Sequence, residues 1–299
     1  MGNQKTWETH FQIRYNQALL YDLPKEGFDQ PAWRKPPTRR GYSGEVTAST
    51  AKRIRTAVDV LLQKSPHRYI FNPVTNRRQK FQLSFTTLTI SQSEEVPASE
   101  GHEALKMFLQ HFKRPWRKKQ LSEQISTYIW KAELQARGQL HYHLTANSFL
   151  HFAEIQRVWN GIQRRRGWLD EFHAKYGRWE PNSTDVHAVY KIKDVSRYLT
   201  KYIAKQEYRQ ATTNPEAGFP ALLEPVRLDA KVWGCSEDLK GAKPFSCVLD
   251  EATWENICNA HGNGAIKIRE KERCRFLDVS GPEHLLSNSQ SNHYQQWKS

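Results

Sequence analysis

The strongest constraint on the fold lies between residues 125 and 146. ISTYIWKAEL (125–134) and QLHYHLTA (139–146) are short runs rich in β-branched and aromatic residues, with Gly138 between them. Such runs read as two strands joined by a tight turn. A three-residue loop, Ala136-Arg137-Gly138, with glycine in the left-handed position, is a common hairpin connection. It sets the register: Gln135 faces Gln139, and Glu133 therefore faces His141. Successive side chains of a strand point to opposite faces. His141 and His143 share one face, while Leu140, Tyr142 and Leu144 share the other and can pack against helices. Directly opposed residues have Cβ atoms about 5 Å apart, which brings Glu133 to the two imidazoles. A slip of one residue would send Glu133 to the wrong face.

Two imidazoles and a carboxylate can hold one divalent cation, each imidazole binding through a neutral ring nitrogen. Glu133, His141 and His143 are therefore the candidate metal ligands. A set with open positions suits Mg²⁺ or Mn²⁺ acting as a Lewis acid. The competing reading is of two ordinary surface or core histidines.

Around this hairpin the chain alternates helical and strand-like patterns. Ala51, Ile54, Ala57, Val58, Leu61 and Leu62 fall at helical spacing, with Ser49 or Thr50 as the cap and Pro66 beyond the end. KFQLSFTTLTIS (80–91) reads as a strand, 100–112 as a helix, 151–165 as a helix and 192–206 as another. Strands and helices mixed in this way predict an α+β fold, a central antiparallel sheet with flanking helices. Residues 1–47 read as an N-terminal extension or arm, 48–210 as the main domain, and 211–299 as a C-terminal region of no readable role.

A formal net charge of +14 calls for a polyanionic partner, nucleic acid or an anionic membrane. The sequence has no apolar run long enough to span a bilayer and no signal-peptide core at its start, which leaves nucleic acid. Cys235, Cys247, Cys258 and Cys274 form no CxxC pair, which fits buried thiols in a reducing compartment. Cations also occur beside indoles: Arg114, Trp116, Arg117 and Lys118; Arg164, Arg165, Arg166 and Trp168; and Trp33-Arg34-Lys35. Cations follow a phosphate backbone while aromatic faces stack on bases, as binding of single strands requires. Any one of these tryptophans can equally be a core residue flanked by solvated charge.

The segment Tyr198-Leu199-Thr200-Lys201-Tyr202-Ile203-Ala204-Lys205 places two phenols one helical turn apart, about 6 Å along the axis. Lys201 and Lys205 fall within the same arc of about 100°. Ile192, Val195, Leu199 and Ile203 form a separate apolar stripe that can dock on a sheet. A phenol beside a cation suits phosphoryl transfer, because the cation favours the phenolate and neutralises the phosphoryl oxygens. The alternative is an exposed helix with half-buried tyrosine rings and solvated lysines.

Taken in order, Phe85-Thr86-Thr87-Leu88-Thr89, Glu133 with His141-Tyr142-His143, and Tyr198 to Lys205 resemble the three motifs of rolling-circle replication initiators of the HUH endonuclease superfamily, across about residues 68–206. Thr86 stands where a larger apolar residue is usual. The pair of tyrosines is similar to the two-tyrosine class of single-stranded DNA phages, bacterial plasmids and mobile elements. The resemblance implies a ferredoxin- or RRM-like sheet carrying the His pair, with 48–210 as the endonuclease domain. It implies a divalent metal (Mg²⁺ or Mn²⁺) and nicking of single-stranded DNA at a replication origin. Tyr198 or Tyr202 would attack and keep the 5′ end, leaving a 3′-OH primer. It also implies a host helicase and polymerase as partners, since the chain has no Gly-Lys of a P-loop, and a bacterial cytoplasm as the setting. A transposase or relaxase of a mobile element, a metal-dependent hydrolase using water, and a non-catalytic single-strand-binding module are the other readings of the same motifs.

Overall fold

The computed structural model describes residues 7–14, 17–24, 44–72, 75–92, 95–114, 121–135, 138–189, 208–210, 223–225, 228–271 and 274–298. The first half carries β1 (Trp7–Arg14), β2 (Gln17–Pro24), α1 (Ala48–Gln63), β3 (Arg68–Asn72), β4 (Arg77–Phe81), β5 (Leu83–Thr89), α2 (Ala98–Lys113), β6 (Tyr128–Leu134) and β7 (Leu140–Ala146). The second carries α3 (Phe152–Arg165), α4 (Asp170–Tyr176), β8 (Thr184–Val189), β9 (Tyr208–Gln210), β10 (Leu223–Pro225), β11 (Trp233–Cys235), β12 (Ser246–Val248), α5 (Glu251–Gly262), β13 (Lys267–Lys271), β14 (Cys274–Asp278) and α6 (Asn288–Lys298). Every strand pairing among the described residues is antiparallel, and the fold is α+β as the sequence predicts.

The chain forms two compact units, one of residues 1–40, 62–64 and 241–299, the other of 41–61 and 65–240. In the first, the sheet order is β12-β1-β2-β14-β13. The β1–β2 hairpin falls in the segment read as an arm, and it pairs directly with the C-terminal strands. Phe11, Ile13, Leu20, Ile257, Leu277 and Tyr294 fill this unit's core. Asp250 caps α5, accepting the Thr253 amide at 2.8 Å and the Ser287 hydroxyl at 2.6 Å.

The second unit is built on a sheet of order β11-β6-β7-β5-β8. Its hairpin register is the expected one: Glu133 faces His141, and Gln135 donates its amide to the Gln139 carbonyl at 2.9 Å. Gly138 holds φ at +84°, a value that β-carbons disfavour. One sheet face is apolar. Leu88, Trp130, Ala132, Leu140, Tyr142 and Leu144 form one cluster with Leu105, Phe108 and Phe112 of α2 and Ile155, Trp159 and Ile162 of α3. Apolar residues three and four apart on each helix supply the matching stripe. Trp159 of α3 also donates its indole N–H to the Thr89 carbonyl at 2.8 Å, which fixes the end of β5.

Two local readings change. Thr47 caps α1 in place of Ser49 or Thr50: its Oγ1 accepts the Thr50 amide at 3.2 Å and its carbonyl the Ala51 amide at 2.8 Å. The run 80–91 is two strands, β4 and β5, broken at Gln82, whose buried side chain donates to the Ser65 carbonyl at 3.0 Å. Thr86, where a larger apolar residue is usual, is fully buried with a hydroxyl that has no hydrogen-bond partner among the described residues. The helix expected over 192–206 lies outside the described residues.

In the segment Trp233-Gly234-Cys235-Ser236 packing admits only glycine at the second position. A β-carbon at Gly234 would lie 2.7 Å from the Trp130 ring, which is itself held in the core. Gly234→Ala should therefore lower stability by about 1–3 kcal/mol through overpacking, measured by urea unfolding against wild type.

Candidate active site

The polar face of the same sheet is laid out by register. Thr89 of β5, His141 of β7 and Glu133 of β6 lie in one row across three strands. Thr87, His143 and Lys131 lie in the next. Asp185 of β8 extends that second row on one side and Trp233 of β11 on the other. One row further, the Phe85 ring stacks on His143 with centroids 5.3 Å apart and lies 5.2 Å from His187.

Glu133 is held from two sides. Its Oε1 forms an ion pair with Nζ of Lys131, and its Oε2 lies 3.3 Å from Nε2 of His143. Burial raises the Glu133 pKa. The hydrogen bonds from His143 and Lys131 and the charge of Lys131 outweigh it and hold the carboxyl at about 2. His141 is driven the other way. Burial, with the neighbouring His143, outweighs the pull of Glu133 and lowers its pKa to about 4. At neutral pH the face thus presents an ionised carboxylate beside a neutral imidazole, the form of histidine that binds metal.

Two threonines support the imidazoles. Thr89 Oγ1 lies 2.9 Å from Nδ1 of His141, and Thr87 Oγ1 lies 3.2 Å from Nδ1 of His143. Gln135 Nε2 adds a contact to His141 Nδ1 at 3.1 Å. A hydroxyl can both donate and accept. Which partner of each pair donates is set by the tautomer of the imidazole. The FTTLT segment is therefore the support layer of the His pair: Phe85, Thr87 and Thr89 face it, while Leu88 packs in the core.

Among the described residues no three His, Cys, Asp or Glu side chains are already grouped as a metal-binding set. Glu133 is engaged by Lys131 and His143 instead. The donors nonetheless fit a hard divalent cation: one ionised carboxylate and two imidazoles, with Oε2 of Glu133 and Nε2 of His143 converging.

The remaining expected residues divide into three groups. Tyr198, Lys201, Tyr202 and Lys205 lie outside the described residues, as do Trp116, Arg117, Lys118 and the cations near Trp33. Arg114, Arg164 and Arg165 are exposed at the ends of α2 and α3, Arg164 lying 4.5 Å from the centre of the Trp179 ring. Trp168 is buried in the main core with Arg166 against its ring. Its expected role as a base-stacking surface is replaced by packing, because the indole presents no open face. Lys131, Thr87 and Thr89 join the expected residues on this face. The signal was present as alternation: Lys131 lies two residues from Glu133, and the spacing of Thr87 and Thr89 matches that of the two histidines.

Tyr128 and Tyr142 are buried on the sheet's opposite face. Burial pushes the Tyr142 phenol far above its ordinary pKa, and its hydroxyl pairs with His102 at 3.1 Å. Neither phenol is placed for attack on a substrate at the polar face.

Residues 83–207 match the family model for the replication-associated protein ORF2/G2P. That match supports a replication-initiator family. It spans β5 to β8, the whole polar face except Trp233, and the segment that holds Tyr198 and Tyr202. No curated protein and no solved structure was found to match the chain. Among the described residues no helix is long and apolar enough to cross a membrane.

Thr87→Val with Thr89→Val keeps side-chain volume and removes both hydroxyls. This pair should retain a near wild-type melting temperature and weaken Mn²⁺ binding about 10- to 100-fold, read by titration calorimetry.

Proposed function

We propose that the chain is a rolling-circle replication initiator of the HUH type, nicking and rejoining single-stranded DNA at an origin through a 5′-phosphotyrosine. The observation that carries this reading is the register-matched face of Glu133, His141 and His143 inside the span that matches the replication-associated family. Bound there, Mg²⁺ or Mn²⁺ would polarise the scissile phosphate as a Lewis acid. Glu133, His141 and His143 would hold it, and Thr87 and Thr89 would orient the imidazoles. The hydrogen bond from His143 and the charge and hydrogen bond of Lys131 hold the Glu133 carboxyl well below its usual range.

Tyr198 or Tyr202 is the proposed nucleophile, with Lys201 and Lys205 favouring the phenolate. The phenolate oxygen forms a bond to phosphorus as the bond to the 3′ oxygen breaks. The products are a tyrosine-linked 5′ end and a free 3′-OH that can prime synthesis. A second phenol one turn away can cut the regenerated junction, and the released 3′-OH can then resolve the first linkage and close a circle. A host helicase would open the duplex and a host polymerase would extend the primer, in the cytoplasm of a bacterial cell.

The test uses a library of labelled single-stranded oligonucleotides with Mn²⁺. Wild type should give a protein–DNA band that survives denaturant, mapping by mass spectrometry to Tyr198 or Tyr202. His141→Ala should give no band while still binding DNA, and Tyr198→Phe with Tyr202→Phe should give none. An adduct at Tyr128, Tyr142 or Tyr190, or one that persists in the double variant, contradicts the assignment.

A further inference from the structure

The β3–β4 hairpin has two unlike faces. On one, Ile70 and Phe81 are buried. Arg68 is fixed there as well: it pairs with Glu123, donates to the Asn147 carbonyl at 3.0 Å, and lies 4.9 Å from the centre of the Phe81 ring. The other face carries Tyr69, Phe71, Arg78 and Lys80, all exposed, with Tyr69 at 72% and Phe71 at 57%. Register sets Tyr69 opposite Lys80 and Phe71 opposite Arg78. Two aromatic rings on one strand thus stand beside two cations on the other. No side-chain hydrogen bond, ion pair or ring contact engages any of the four among the described residues. From Arg68 to Phe81 the sequence contains Arg68, Arg77, Arg78 and Lys80 and not a single Asp or Glu.

Large exposed aromatics are costly to leave in water unless they meet a partner. The cations beside them identify its charge. A nonpolar protein surface would match the rings and leave the cations desolvated. A single strand of DNA satisfies both, because bases stack on the rings while phosphates run along the cations. We propose that the exposed face of the β3–β4 hairpin is a binding platform for single-stranded DNA, with Tyr69 and Phe71 stacking on bases and Arg78 and Lys80 neutralising phosphates. The anchored back face holds the four side chains on a fixed strand pair, so little order has to be imposed on binding. The choice of DNA as the strand rests on the proposed function; the stacking surface itself rests on the hairpin.

Fluorescence anisotropy with labelled oligothymidylate, and with its duplex with oligodeoxyadenylate, tests this in chelator so that cleavage does not intervene. Tyr69→Ala and Phe71→Ala should each weaken single-strand binding about fivefold or more, with the salt slope unchanged and a smaller effect on duplex. Arg78→Gln with Lys80→Gln should reduce the salt slope by about 1.4, two contacts at about 0.7 each. All four positions are exposed, and matched melting temperatures verify folding. Wild-type affinity in both ring variants overturns the platform, as does an equal loss on duplex. So does self-association, seen by sedimentation, that disappears with the rings while DNA affinity stays. The two readings separate cleanly. If wild type binds oligothymidylate and forms the covalent adduct while the ring variants bind normally, only the platform falls. If wild type binds no single strand, both fall.

Discussion

Side chains alternate along a strand with a period of two, and the register of β5, β7 and β6 turns that alternation into a two-sided sheet. One side receives Leu88, Tyr142 and Trp130 and is closed by α2 and α3. The other receives Thr89, His141, Glu133, Thr87, His143 and Lys131 in two rows. A slip of one residue in either pairing would put imidazoles into the core and leucines on the polar face. The core that stabilises the sheet is therefore also what positions its chemistry. The link is direct at Thr89, whose carbonyl accepts the buried Trp159 N–H while its hydroxyl meets His141.

Lys131 gives the polar face its electrostatic character. It is almost fully buried and ion-paired with Glu133. A buried carboxylate alone would tend to take up a proton. With the His143 hydrogen bond and the lysine beside it, Glu133 stays charged, and His141 stays neutral for the opposite reason, having burial and His143 against it and too weak a pull from the carboxylate. The protein itself thus sets an ionised carboxylate beside a neutral imidazole.

The hairpin from Tyr128 to Ala146 was legible because alternation, a glycine at a positive φ and a short loop agree on one register. The helices α2 and α3 were legible from their apolar spacing. The supporting residues were harder to see. Nothing in the FTTLT run says that Thr87 and Thr89 will lie beside the histidines rather than elsewhere in the sheet, because that depends on a long-range pairing of β5 with β7. The β1–β2 hairpin was obscured in the same way, since its partners β12 and β14 lie more than two hundred residues away. Trp168 misled because its cationic neighbours are exposed while its own ring is in the core. The β3–β4 hairpin is hidden in the sequence because its outward face is aromatic and charged, and only the long pairing of the two strands separates that face from the buried one.

The most direct measurement is pulsed electron paramagnetic resonance of Mn²⁺ bound to the intact chain, which detects nitrogen nuclei coordinated to the ion. Two imidazole nitrogens should couple to a single bound Mn²⁺ in wild type. One should remain in His141→Ala or His143→Ala, with weakened affinity, and Glu133→Ala should weaken binding while leaving the nitrogen couplings. A bound Mn²⁺ with no imidazole coupling, or one whose affinity and spectrum are unchanged when both histidines are removed, would contradict the assignment of this face as the metal centre.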